Sequence, residues 1–399
     1  MIKSREGFEE LQGENGAARG GPFVWREQVW RDVVSSRGVV GVGIVGTGFA
    51  RTTQLPAWAA CEGARVVAVA SGRRENAERV AREFDIPFVA EDWREMVARE
   101  DVDLVSIVTP PVTHAEMALG ALEAGKAVLC EKPMAMNAGE TARMCEAARA
   151  AGVLALIDHE LRFLPARRRM RELIQGGELG RVRHAKFLFR GGSRAAADSP
   201  WSWWSDERAG GGALGAIGSH ALDALHWLLG TRVSHVSASL AAHVAERRDP
   251  ASGGMRRVTA DDEASLLVNF VDGGAAERAT GVVAISLAEP GAPEHTVEVF
   301  GSEGSLRLDG AGRLWRARVG ESAWAAVETG EAPLAEGLRD NEWARGFTVF
   351  AREIIDALRE GRHAVEGAAT FDDGHRTQLV LDAARAAHAS GCRVAVGSF

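Results

Sequence analysis

The sequence predicts an α/β protein whose first part is a doubly wound, mostly parallel sheet. Three observations carry that reading. Apolar runs of strand length recur at residues 39–45, 65–70, 103–108, up to Cys130, and 154–157. Helix-sized segments separate them. The runs are nearly continuous in apolar residues rather than alternating, as strands covered on both faces require. Alternation at this spacing implies strand–helix–strand units and a parallel sheet.

The first run leads straight into Gly46-Thr47-Gly48-Phe49-Ala50-Arg51. Gly46 and Gly48 fit the first two positions of a dinucleotide fingerprint, one for a tight turn and one for close approach of a pyrophosphate. The third glycine is replaced by Arg51, next to the small Ala50. With the strands around it, the segment predicts a Rossmann domain over residues 38–158. The second strand ends at Ser71-Gly72-Arg73-Arg74, where an acidic residue would bind the ribose of NAD. A hydroxyl with a guanidinium suits a 2′-phosphate, so NADP is favoured over NAD; the alternative is a solvated arginine loop. A helix over 76–84 spaces Val80 and Phe84 at i, i+4. The third strand stops at Thr109-Pro110-Pro111. Thr113 and Glu116 then read as a capping box for a helix running to Gly125, and Asn137 with Glu140 repeat the signal for a helix ending near Gly152.

After Gly125, a short apolar strand delivers Glu131-Lys132-Pro133 at its carboxyl end, the edge where ligands bind in an open parallel sheet. Pro133 restricts the backbone of Lys132 to extended conformations. An ammonium there can stabilise a developing alkoxide or relay a proton. The chain has no tyrosine, so that role falls to lysine, histidine, a carboxylate or water.

These blocks resemble the Gfo/Idh/MocA oxidoreductase family over about residues 38–399. The resemblance rests on Gly46-Thr47-Gly48-Phe49 with Gln54-Leu55-Pro56-Ala57, on Thr109-Pro110-Pro111 with His114, and on Glu131-Lys132-Pro133. Further on, Gly210-Gly211-Gly212, Gly218-Ser219-His220 and Asp223 look like the family's second signature. The resemblance implies a C-terminal α/β domain, here 159–399, with a large open, mostly antiparallel sheet that relatives use to form homodimers or homotetramers. It implies cofactor contacts from Gly46, Thr47, Gly48, Phe49, Ala50, Ser71, Arg73, Thr109, Pro110, His114, Glu131 and Lys132. It implies hydride transfer between NAD(P) and a secondary alcohol or ketone of a sugar, cyclitol or similar polyhydroxy compound. Lys132 and His220 would be the catalytic pair. Many relatives place an aspartate four residues before that histidine; this chain has Ala216.

Asp223 lies at i+3 from His220, as a substrate contact or as the histidine's hydrogen-bond partner. Glu160 and Arg162 follow the last Rossmann strand and are candidate substrate contacts, or an ion pair between the domains. Trp204, in the aromatic stretch Trp201 to Asp206, suits a sugar face or a core. Arg167-Arg168-Arg169 reads as a solvated helix face. His220 and His226 point to different sides of a helix, so no metal site is expected. Strand-like segments at 182–190, 264–270 and 296–300, a turn at 302–305, and helices over 343–360 and 371–390 complete the second part.

Composition narrows the function classes. A net charge of −8 gives no basic surface for nucleic acid or anionic membrane. No apolar run approaches the roughly 20 residues of a membrane span. Four scattered cysteines without a CxxC pair fit a reducing, cytoplasmic setting. Residues 1–37 are polar and lack the apolar core of a signal peptide, so they are expected to be a poorly ordered arm or to lie upstream of the natural start. Two other functions fit the loss of a carboxylate at 216: a non-catalytic NAD(P)-binding sensor, and a redox-neutral, NAD-dependent glycoside-processing enzyme.

Overall fold

A computed structural model describes residues 38–271 and 276–397; the expectations for residues 1–37 lie outside them. The first sheet has seven strands in the order β17-β6-β5-β4-β1-β2-β3. The strands β1 (Val40–Val45), β2 (Ala64–Ala70), β3 (Phe88–Val89), β4 (Leu104–Ile107), β5 (Ala127–Cys130) and β6 (Ala155–Ile157) run parallel. The apolar runs read from the sequence are these strands, to within a residue or two. β1, β4 and β5 are buried along their whole length, which explains their continuous apolar character.

Helices α1 (Leu55–Ala59), α2 (Arg74–Glu83), α3 (Trp93–Val97), α4 (His114–Glu123) and α5 (Ala138–Ala151) cross between these strands. Two start signals resolve differently. Asn137 caps α5, its side chain accepting from the Glu140 amide at 2.9 Å. Thr113 does not cap α4: its hydroxyl is engaged with Thr109 Oγ1 (2.7 Å) and the Pro110 carbonyl (2.9 Å), and Glu116 pairs with Arg94. A proline-anchored turn just upstream competed for the hydroxyl and won.

The second sheet has nine strands in the order β16 (Ala325–Val327), β15 (Leu314–Arg318), β14, β13, β7, β12, β11, β8, β18 (Val394–Ala395), and β9 (Glu246–Arg248) pairs with β10 (Met255–Arg257) as a separate ribbon. Its centre is β7 (Val182–Arg190), β8 (Val233–Ala241), β11 (Glu263–Phe270), β12 (Thr280–Ser286) and β13 (Glu294–Gly301). Pairing is antiparallel except between β7 and β12. One face packs on α6 (Pro165–Gln175), α7 (Ser219–Leu229) and α9 (Phe371–Ser390), through Phe187, Leu222, Leu225, Val283 and Leu381. The expected hairpin turn at 302–305 joins β13 to β14 (Gly304–Leu308).

Late segments of the chain return to the first sheet. Helix α8 (Glu342–Arg359) buries Phe347, Phe350, Ile354 and Ile355 against Val40, Ile44, Trp58 and Phe163. The Phe347 ring meets Trp58 edge-on at 5.4 Å, and Phe350 stacks on Phe163 at 4.4 Å. Strand β17 (Ala369–Thr370) pairs antiparallel with β6. The Rossmann core is therefore completed by residues some 200 positions downstream of β6.

Phe347 is fully buried. Phe347→Ala is expected to cost about 3–5 kcal/mol, read as a shift in the urea midpoint. A loss below 1 kcal/mol would show that α8 is not integral to the first core.

Candidate active site

The parallel strands β5, β4, β1 and β2 stand side by side, so their carboxyl ends form one edge. The chain order reverses between β4 and β1, and that switch point is where open α/β sheets take ligands. Gly46 to Ala50 leave β1 there, Ser71 leaves β2, Thr109 and Pro110 leave β4, and Glu131 and Lys132 leave β5. Gly46 has φ +100°, and a Cβ on it would lie 2.2 Å from the Val108 carbonyl oxygen, so only glycine fits. A Cβ on Gly48 would meet nothing within 4 Å, the open approach a pyrophosphate needs. The residues present thus fit a dinucleotide. Arg51, in place of the third glycine, pairs outward with Glu83 at 2.6 Å. Arg74 is committed to Glu78 and Glu91, which leaves Ser71 and Arg73 as the polar groups at the β2 end.

His114 is fully buried, with its ring nitrogens 3.0 Å from the Pro133 carbonyl and 2.8 Å from the Thr109 carbonyl. It ties the β4 and β5 loops together and has no ring nitrogen left for a ligand.

Two helices that reach the site each contain a π-type turn, at Ala50–Gln54 and Leu214–Gly218. Such turns recur at functional sites because they redirect side chains. The first buries Gln54, whose amide nitrogen donates to Glu131 (3.2 Å) and Asp158 (2.9 Å) and whose carbonyl accepts from Ser106 (2.6 Å). The second precedes α7 and His220. Lys132 Nζ donates to the carbonyl oxygen of Ala216 at 3.4 Å. At the position where the family resemblance implied a carboxylate, the backbone oxygen of Ala216 accepts from the ammonium. The Gly212 φ of +115° sets up this helix entry: Asp261, against which its Cβ would clash, accepts from the Leu214 amide at 2.7 Å.

His220 lies 3% exposed, four residues beyond Ala216. Its Nδ1 is 3.3 Å from His159 Nδ1, and its Nε2 has no hydrogen-bond partner among the described residues. Burial first, and then the charge of Lys132, hold its pKa well below the ordinary histidine value. The expected His220–Asp223 contact is not formed. Asp223 is taken by Arg162 in a two-bond pair (2.8 and 2.5 Å) and lies 3.8 Å from His159 Nε2. Arg162 accordingly does not pair with Glu160, and both Arg162 and Asp223 are buried. Neither has a polar edge left for a substrate. Glu160 is 1% exposed, with Oε2 unpartnered among the described residues. Trp204 is half-buried against the second core, its ring 5.2 Å from Trp203.

The arginine run is not a solvated face. Arg167 is 3% exposed and reaches His295 (3.0 Å) and Glu342 (3.8 Å); Arg168 pairs with Glu353, and Arg169 alone stays on the outside with Glu172. Helical spacing carried the signal, since Arg167 is i−3 and i−7 from buried Met170 and Ile174. His159, Gln54, His295 and Trp343 also belong to this cluster, the Trp343 ring lying 4.7 Å from His220. Among the described residues no group of His, Cys, Asp and Glu is placed to hold a metal ion.

Glu131, Asp158 and Glu160 form a buried acidic group. Burial raises all three pKa values; repulsion from the neighbouring carboxylates adds to the rise at Asp158 and Glu160, whereas Lys132 opposes it at Glu131 and Glu160 and hydrogen bonding to Asp158 opposes it at Glu131. Acids with raised folded-state values stabilise the fold fully below the unfolded value of about 4 and lose that contribution as pH rises through the folded value. The contribution of these acids to stability against urea is therefore expected to fall as pH rises above about 4, against the rise that buried neutral histidines such as His159 and His220 give below about pH 6.5. Asp158→Asn mimics the neutral acid and should flatten that decline. An identical slope in the variant would show that Asp158 is ionised in the native state.

The chain matches two family models: an oxidoreductase family with an NAD-binding Rossmann fold at residues 40–159, and the GFO/IDH/MocA C-terminal domain at residues 167–307. It is 35% identical over 261 residues to an uncharacterized oxidoreductase of Synechocystis, covering 65% of this chain and 69% of that one. It is 31% identical over 342 residues to levoglucosan dehydrogenase of Pseudarthrobacter phenanthrenivorans, covering 79% and 85%. A solved structure of levoglucosan dehydrogenase with NADH and levoglucosan superposes with a TM-score of 0.80 at 28% identity, over 90% of this chain and all of that one. With the sheet edge, the lysine and the domain order agreeing, the chain belongs to the Gfo/Idh/MocA family of NAD-binding oxidoreductases.

Proposed function

We propose that the protein oxidises a secondary alcohol of a sugar or related polyhydroxy compound, or reduces the corresponding ketone, with Lys132 and His220 acting at the reacting oxygen. The observation that carries this is the meeting of Lys132, from the carboxyl end of β5, with the π-type turn that leads into the His220 helix. Bound at the sheet edge, a nicotinamide supplies the hydride acceptor or donor. The chain's own groups handle the proton. Lys132 donates to the substrate oxygen and stabilises its negative charge. His220 is neutral, with Nε2 unpartnered among the described residues, so it can take the hydroxyl proton. The sugar class rests on the relatives: levoglucosan dehydrogenase was solved with levoglucosan and with L-sorbose.

The preference for NADP rests on Ser71 and Arg73, because no acidic side chain stands at the end of β2 to repel a 2′-phosphate. Solved relatives hold NADH or NAD, so the comparison to make is KM for both dinucleotides.

A polyol and keto-sugar panel, beginning with levoglucosan and read at the nicotinamide absorbance, tests the reading. On a productive substrate, Lys132→Met should lower kcat by about 10²–10⁴-fold. Unchanged turnover in that variant would remove Lys132 from the chemistry.

A further inference from the structure

We infer that His159 is a positioning residue that sets the tautomer of His220, so that His220 presents Nε2 as a base. The inference rests on the assignment of His220 above, but it is carried by a separate set of contacts. His159 follows β6 of the first sheet, and His220 lies on α7, which packs on the second. Their rings meet edge-on at 5.0 Å and 78°, with the two Nδ1 atoms 3.3 Å apart. One of those nitrogens must carry the hydrogen and the other the lone pair. The choice is made on the far side of His159, where Nε2 lies 3.8 Å from Asp223 Oδ1.

Asp223 is an anion. Burial works against its ionisation, but Arg162 and His159 hold its carboxyl below the usual range. A carboxylate favours an N–H directed at it over a lone pair. His159 therefore carries its hydrogen on Nε2, and its Nδ1 accepts from His220 Nδ1–H. That leaves the lone pair of His220 on Nε2. Of the other groups acting on His220, Lys132 and Arg167 are donors, and the Nε2 of His295 faces Arg167 at 3.0 Å, so none offers an acceptor that would draw the hydrogen to His220 Nε2. During oxidation, the substrate O–H proton would pass to His220 Nε2, while a bound nicotinamide would supply the hydride acceptor. The resulting imidazolium keeps its Nδ1–H on His159, and Asp223 stabilises the positive charge through the second ring.

The arrangement differs from a direct carboxylate–histidine pair. A second imidazole stands between the two, and the ion pair with Arg162 holds the carboxylate in place (2.8 and 2.5 Å).

The test is ¹⁵N NMR of the full chain labelled at histidine, with His220 identified from the spectrum of His220→Asn. The expected result is a protonated Nδ1 and an unprotonated Nε2 on His220. His159→Asn, whose amide oxygen can replace Nδ1 as acceptor, should retain that pattern. His159→Leu removes the acceptor and should move hydrogen to His220 Nε2. A His220 protonated on Nε2 in the unaltered protein overturns the inference, whether or not the leucine variant folds. So does an unchanged tautomer in a folded His159→Leu. The underlying assignment is read separately: full turnover of a productive polyol by His220→Asn would remove His220 from the chemistry without touching the tautomer result.

Discussion

Arg162 leaves the first sheet just after β6 and meets Asp223 on α7 of the second domain, with both side chains buried. Much of the site geometry depends on this pair. It fixes the rotation of α7 relative to β6, so it also fixes how His159 and His220 face each other. It removes Asp223 from direct contact with His220 and places a ring between them. Arg162 is further held by Asp373 at 3.6 Å and by the Gly367 carbonyl at 3.4 Å, which links the seam to the start of α9. Deleting one member of such a buried pair typically costs about 3–5 kcal/mol, because the other charge is stranded.

Around that seam the site sorts its charges by burial. Glu131, Asp158 and Glu160 cluster on the Rossmann side, with Gln54 and Ser106 distributing hydrogen bonds. Arg167, His295 and Glu342 cluster on the sheet side. Lys132 lies between them, bound to a carbonyl rather than to a carboxylate side chain. Its ammonium is thus not held in a tight ion pair that a substrate oxygen would have to displace.

The parallel sheet was legible because its strands are buried on both faces, and burial writes a continuous apolar run. The Glu131-Lys132-Pro133 edge was legible because it follows such a run directly. What the sequence hid was pairing across long separations. Whether Asp223 meets His220, three residues away, or Arg162, 61 residues away, depends on which groups a second domain brings to it. Local spacing cannot state that. Arg167 was misread for another reason: a run of three arginines looks solvated, although helical phase puts the first on the apolar side. Thr113 failed as a cap because a neighbouring turn offered its hydroxyl closer partners.

The return of α8 and β17 to the first sheet bears on how such a chain can be divided in evolution. The dinucleotide-binding half looks like a detachable cassette when read along the sequence. Yet the apolar surface of β1 and α1 is covered by aromatic residues encoded near the other end of the gene. A recombination break after β6 would separate that surface from its cover. Exchange between relatives should therefore keep β1 to β6 and the α8–β17 segment from one parent, while α6 and α9, which cover the second sheet, travel with that sheet. New substrate specificity enters by an exchange whose breakpoints follow the two cores rather than the linear order of the chain.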